Sequence, residues 1–204
     1  MLDERLVYLT LLLSLGGTAH YIAMIFSGQV RPNRASWALW AIAPGVVFAA
    51  ELTEGVGLRT VMTFGITLGP LLVVIASFAT KAAYWKLGTL DWACGGLSGL
   101  ALALWAITDS AVVAIILSIT ADALAAIPTV RKTITHPDTE HPLFFALVSL
   151  GGALTLLTIQ RWTFADWAFP LYIFLFPGLL AVLIWWRQSV SRDEGCARRG
   201  SRSG

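Results

Sequence analysis

Seven apolar segments follow one another along the 204-residue chain, and no other feature limits its fold so strongly. They run at about 6–27, 36–52, 59–78, 90–107, 110–129, 143–159 and 166–186, separated by charges, prolines and glycines. A segment in hydrocarbon must satisfy its backbone N–H and C=O groups internally, which makes helices the solution for a chain of this pattern. The balance of 57% hydrophobic and 13% charged residues agrees, since a soluble domain carries roughly 25% charged residues. The expected fold is all-α: a polytopic membrane protein of seven transmembrane helices, without a separate soluble module. The tail 188–204 is polar and rich in Ser, Gly and Arg, and is expected to be disordered.

The basic residues give the chain a direction. Arg31 and Arg34, Lys81 and Lys86, Arg131 and Lys132, and the tail arginines all fall on one side of such a bundle. Only Arg5, Arg59 and Arg161 of the 14 Lys and Arg fall on the other. The bias predicts an outside N-terminus and a cytoplasmic C-terminus in a plasma (inner) membrane. Asp3 and Glu4 stand where a signal peptide carries positive charge, so the first segment reads as a span. Cys94 and Cys196 form neither a disulfide framework nor a metal-ligand spacing.

The segments also repeat. Pro32-Asn33-Arg34-Ala35-Ser36-Trp37 overlays Pro137-Asp138-Thr139-Glu140-His141-Pro142, each in the loop between the first two helices of a three-helix unit. Upstream, His20 falls over Asp122 with a three-residue gap; downstream, Gly69-Pro70 falls near Phe176-Pro177. Two units of the same orientation, with an odd helix between them, are parallel repeats. The expected division is 1–80 for the first repeat, 81–107 for the linker helix, 108–187 for the second repeat and 188–204 for the tail.

This three-plus-one-plus-three plan, with Ile127-Pro128-Thr129-Val130-Arg131-Lys132 ending the fifth segment, resembles the PQ-loop and SWEET transporter superfamily, including its nicotinamide riboside transporter-like members. Pro128 stands where the family's Pro-Gln motif ends its first helix, with Thr129 in place of Gln. The resemblance implies alternating access about a midplane site, with Pro44 and Pro128 as hinges. It also implies that aromatic residues of the second helix, Trp37 and Trp40, line the pocket; the competing reading is an interfacial aromatic belt. Where sugar-transporting relatives use Asn in the third helices, this chain offers Thr63, Thr67 and Tyr172. A threonine can instead bond its own helix backbone.

His20 and Asp122 are ionisable groups inside apolar runs, and such groups face cavities and mark solute or proton paths. They are expected to meet as a substrate-binding or proton-coupling pair, against the alternative of a structural bond between the halves. Arg31, Arg34, Arg131, Lys132 and Glu140 are candidates for an inner gate, against plain positive-inside anchoring. Glu51, Glu54 and Asp109 read as solvated helix ends. Gly95, Gly96 and Gly99 permit close packing within the chain or in a homo-oligomer.

Rival activities lack their residues. The seventh segment has no Lys for retinal, and His20 is the one span His where a zinc hydrolase needs several. There is no phosphate-cradling Gly-rich loop and no nucleophile elbow. The sequence points to a transporter of a small polar or ring-bearing solute, uniport or proton-coupled, with no enzymatic activity, cofactor or metal. Its expected partners are the solute and membrane lipid, with no nucleic acid. The alternative is a non-transporting scaffold or sensor of the same fold.

Overall fold

The computed structural model describes residues 3–80, 89–108 and 110–200, and these residues form helices and no strand. The helices are α1 (Val7–Phe26), α2 (Arg34–Thr53), α3 (Thr60–Ser77), α4 (Thr89–Thr108), α5 (Ala111–Ala125), α6 (Ile127–Thr135), α7 (Pro142–Thr158) and α8 (Phe164–Gly200). Five stretches are long and apolar enough to cross a membrane: Glu4–Phe26, Arg34–Thr53, Gly57–Ser77, Ala111–Thr135 and Phe164–Ser191. Helix α7 is apolar but shorter, at 17 residues. The chain is thus an all-α integral membrane protein.

Sequence signals set the ends of these helices. Asn33 caps α2 by accepting the Ala35 N–H at 3.1 Å, as an N-cap side chain does. Helix α1 ends on Gly28 (φ 73), with Gly28 N bonded to Ile25 O and Gln29 N to Met24 O; Gly55 (φ 67) ends α2 in the same way. Lys81, Lys86 and Asp109 lie outside the described residues, as do the side chains of Cys94 and Cys196 and the surroundings of Gly95.

Two boundaries differ from expectation. The fifth segment does not stop at 129 but breaks at Ala126 and resumes as α6 to Thr135. Pro128 has no N–H to bond Leu124 O, and Ala126 N turns to Ala123 O instead of Asp122 O. The tail also departs from the disorder expected of 188–204, because α8 continues as helix to Gly200. A helix already nucleated in the span extends at little further cost.

The packing order is set by contact between helices. Helix α3 lies against both α1 and α2, and α8 lies against α7 and α5. Helix α1 packs on α7, α2 packs on α5, and α4 leans on α5 and α2. Helices α7 and α8 pack tightly at Gly152, where an added Cβ would come within 2.7 Å of Phe174 N and 2.8 Å of Pro170 O. Among the described residues, nothing lies within 4 Å of a Cβ added at Gly96 or Gly99. Large side chains such as Leu12, Ile75, Leu179 and Val182 stand exposed around the bundle, as lipid-facing residues do.

Candidate functional site

A cavity of about 40 Å³ lies inside the bundle, room for roughly three waters. Its aromatic lining comes from Trp40, Phe144, Phe145 and Phe176, and Pro70 and Pro177 face into it from α3 and α8. Prolines within helices leave a nearby carbonyl short of a partner. Here serines from neighbouring helices reach the same stretches: Ser14 donates to Gly65 O at 3.0 Å and Ser149 to Phe174 O at 2.7 Å.

Asp122 is the acid of this lining. The Tyr172 hydroxyl donates to Asp122 Oδ2 at 2.6 Å, tying α8 to α5. The Trp40 indole N–H donates to the Asp122 backbone carbonyl at 3.2 Å, the carbonyl released by the break at Ala126. Trp40, Asp122 and Tyr172 are thus brought together, as a binding site in the bundle interior requires. A carboxylate beneath aromatic walls can accept hydrogen bonds from a ring-bearing solute while the rings stack on it.

The other residues expected at this site lie elsewhere. His20 is exposed, its ring 5.2 Å from that of His141 and not in the cavity with Asp122. The reason is helical phase: the buried stripe of α1 runs through Thr10, Ser14, Thr18 and Tyr21, and His20 is turned roughly 120° from Ser14. Trp37 is buried but does not line the cavity and forms no belt; its ring packs on Tyr21 at 4.6 Å and Phe144 at 5.0 Å. Thr67 bonds Thr63 O at 2.9 Å within its own helix and lies against Gly45, so it too misses the cavity. Thr63 is fully buried beside Glu51.

Polar layers lie at both ends of the bundle. At the end opposite the N-terminus, Lys132 pairs with the buried Glu140, whose Oε2 accepts the Tyr21 hydroxyl at 2.8 Å. Lys132 also donates to Arg31 O at 2.7 Å, and Arg31 N donates to Thr139 O at 3.3 Å. Of the expected gate, Lys132 and Glu140 meet. Arg31 contributes its backbone while its side chain is exposed, and Arg131 is exposed. Arg34 turns away to the end of α3, donating to Ser77 O at 2.5 Å and Thr80 O at 3.2 Å, because the free carbonyls there attract a cation.

At the N-terminal end, Arg59 bridges Glu4 Oε1 at 2.8 Å and Asp166 Oδ1 at 2.5 Å. Arg59 and Asp166 are each 5% exposed. Glu51, expected as a solvated end, is 2% exposed in the same layer. None of this was legible as a site, because Arg59 and Asp166 look like ordinary charges at span ends. Phe145 did carry a signal: the overlay of the two loops, continued three residues, puts Trp40 on Phe145, and both line the cavity.

Among the described residues no three His, Cys, Asp or Glu side chains are placed to hold a metal ion. Comparisons with known proteins find no matching family model, no matching curated protein and no matching solved structure.

Proposed function

We propose that this chain is a membrane transporter for a small ring-bearing or polar solute, working by alternating access in the manner of the PQ-loop and SWEET superfamily. The observation that carries the reading is the central cavity with its single carboxylate, which lies between two separate polar layers. Each layer joins the first half of the chain to the second: Arg59 to Asp166 at one end, Tyr21 to Glu140 at the other. Parting one while keeping the other would open the cavity to a single side.

The repeat supports this reading. With α5 and α6 counted as one helix, the triplets α1-α3-α2 and α5-α8-α7 each put their third helix in the middle. The contacts between triplets, α1 on α7 and α2 on α5, interchange under a two-fold axis along the membrane normal. In this scheme α4 is the linker, the spans number seven, and the N-terminus faces outside by the positive-inside rule. The hinge lies at Ala126-Ile127-Pro128, whereas Pro44 lies inside α2 without interrupting it.

A second reading has its own support: Asp122 is already satisfied by Tyr172, and the cavity holds only a few waters. A scaffold or sensor with a sealed interior fits that. The test is a single cysteine at Ile66, in a protein with Cys94 and Cys196 replaced, treated with an impermeant thiol reagent from either side of sealed vesicles. A transporter is labelled from both sides, with rates that shift when a solute found by thermal stabilisation is added. An unlabelled protein is the scaffold.

A further inference from the structure

The N-terminal layer contains more acid than its cation can serve. Arg59 commits Nη1 to Glu4 and Nη2 to Asp166. Asp166 also accepts the Thr163 hydroxyl on its other oxygen. Glu51, in the last turn of α2, is buried in this layer without an ion pair of its own. The charged groups that face it are Arg59, from the turn before α3, and Asp166, from α8; Glu4 reaches Arg59 from the turn before α1. Asp109, in the α4–α5 link, lies outside the described residues.

Three buried atoms of this layer have no hydrogen-bond partner: Glu51 Oε2, Oγ1 of the fully buried Thr63, and Arg59 Nε. Thr63 stands beside the Glu51 carboxyl, close enough to interact with it but without hydrogen-bond geometry. A buried carboxylate with no cation of its own is strongly disfavoured, and so is a buried hydroxyl with no partner. A proton on Glu51 removes the uncompensated charge, and the neutral carboxyl and the Thr63 hydroxyl beside it can still share a hydrogen bond.

We propose that Glu51 is a proton-binding site that governs the N-terminal closure: a neutral acid paired with Thr63 while Arg59 holds Asp166, and a carboxylate when that closure opens. Opening parts Arg59 from Asp166 and frees a guanidinium arm. Glu51 then gives its proton to water on that side and takes the arm, leaving Asp166 hydrated. Each cycle of this end exchanges one proton for one broken cross-bundle ion pair. A proton fits better than a metal cation, because the described acidic side chains do not converge as metal ligands. The consequence for transport rests on the alternating-access reading, whereas the proton on Glu51 does not.

The test is infrared difference spectroscopy on the full chain in lipid nanodiscs, with pH as the only variable. The wild type at neutral pH is expected to carry a protonated-carboxyl C=O band assignable to Glu51, lost in Glu51→Gln and kept in Asp122→Asn. Identical spectra for wild type and Glu51→Gln would overturn the assignment. Thr63→Val, which keeps the acid and removes its hydroxyl partner, is expected to move the same band to higher frequency, and an unmoved band counts against the pairing. Loss of the band on replacing choline by sodium at fixed pH would make this a sodium site and sink the proton proposal. Spin labels at the exposed Leu58 and Trp162 should separate as pH rises in the wild type and stay together in Glu51→Gln; a pH-independent wild-type distance refutes the coupling. A Glu51 band in a protein that exchanges no solute would defeat the carrier reading alone, while exchange without the band would defeat only the role of Glu51.

Discussion

Tyr172 of α8 and Asp122 of α5 are joined by a single 2.6 Å hydrogen bond at the edge of the central cavity. The phenol is the donor and the buried carboxyl is the acceptor, so the acid is held in place without a cation. Removing the donor strands a buried acceptor, which costs about 1–3 kcal/mol. Tyr172→Phe is therefore expected to lower the melting temperature in detergent. Asp122→Asn keeps an oxygen for Tyr172, and is expected to melt near the wild type while abolishing solute exchange in liposomes.

Arg59 and Asp166 form a buried ion pair, and breaking such a pair from one side leaves an uncompensated charge. Asp166→Leu is expected to destabilise the protein by about 3–5 kcal/mol. Replacing Arg59 by Met in the same chain should restore a large part of that loss, because apolar substitutes for both partners remove the stranded charge. A denaturant series on the single and double variants measures this. A double variant no more stable than the single would mean that Glu4 and Glu51, not Asp166, set the demand for Arg59.

The pair of imidazoles at the opposite end predicts an acid-side loss of stability. Partial burial first, and the neighbouring His20 second, hold the His141 pKa below its ordinary value. A group whose folded pKa is depressed binds its proton more readily once unfolded, so its contribution is whole above the ordinary value of 6.5 and is lost as pH falls below it. The melting temperature should drop modestly from pH 7.5 to pH 5.5, since His141 is largely open to solvent. His141→Gln should flatten that slope, and His20→Gln should reduce it.

Gly152 predicts a steric failure. A methyl group there meets the backbone of α8 at 2.7–2.8 Å, and backbone cannot move aside like a side chain. Gly152→Ala should destabilise by about 1–3 kcal/mol or more through overpacking. Gly16→Ala, with nothing within 4 Å, should leave the melting temperature unchanged or slightly raised.

The sequence carried the helices because length and apolarity alone demand them, and each expected span has a helix at its place. It carried Asp122, Trp40 and Tyr172 because polar atoms in apolar runs must find partners, and these three found one another. His20 failed on phase, since the overlay that paired it with Asp122 crossed a gap, and a slip of one or two residues turns a helical side chain away from the core. The Arg59 layer was hidden for another reason. Its members come from the turn before α1, the end of α2, the turn before α3 and the start of α8, so only the folded bundle makes them neighbours. Glu140 sits between these cases: it was named as a gate residue, but its bond to Tyr21 depends on how α1 meets the α6–α7 loop.

The interruption at Ala126 makes two levers of what could have been one rigid rod. Asp122 sits on the first and Lys132 on the second, so the Lys132–Glu140 pair is free to shift while Asp122 keeps its bond to Tyr172.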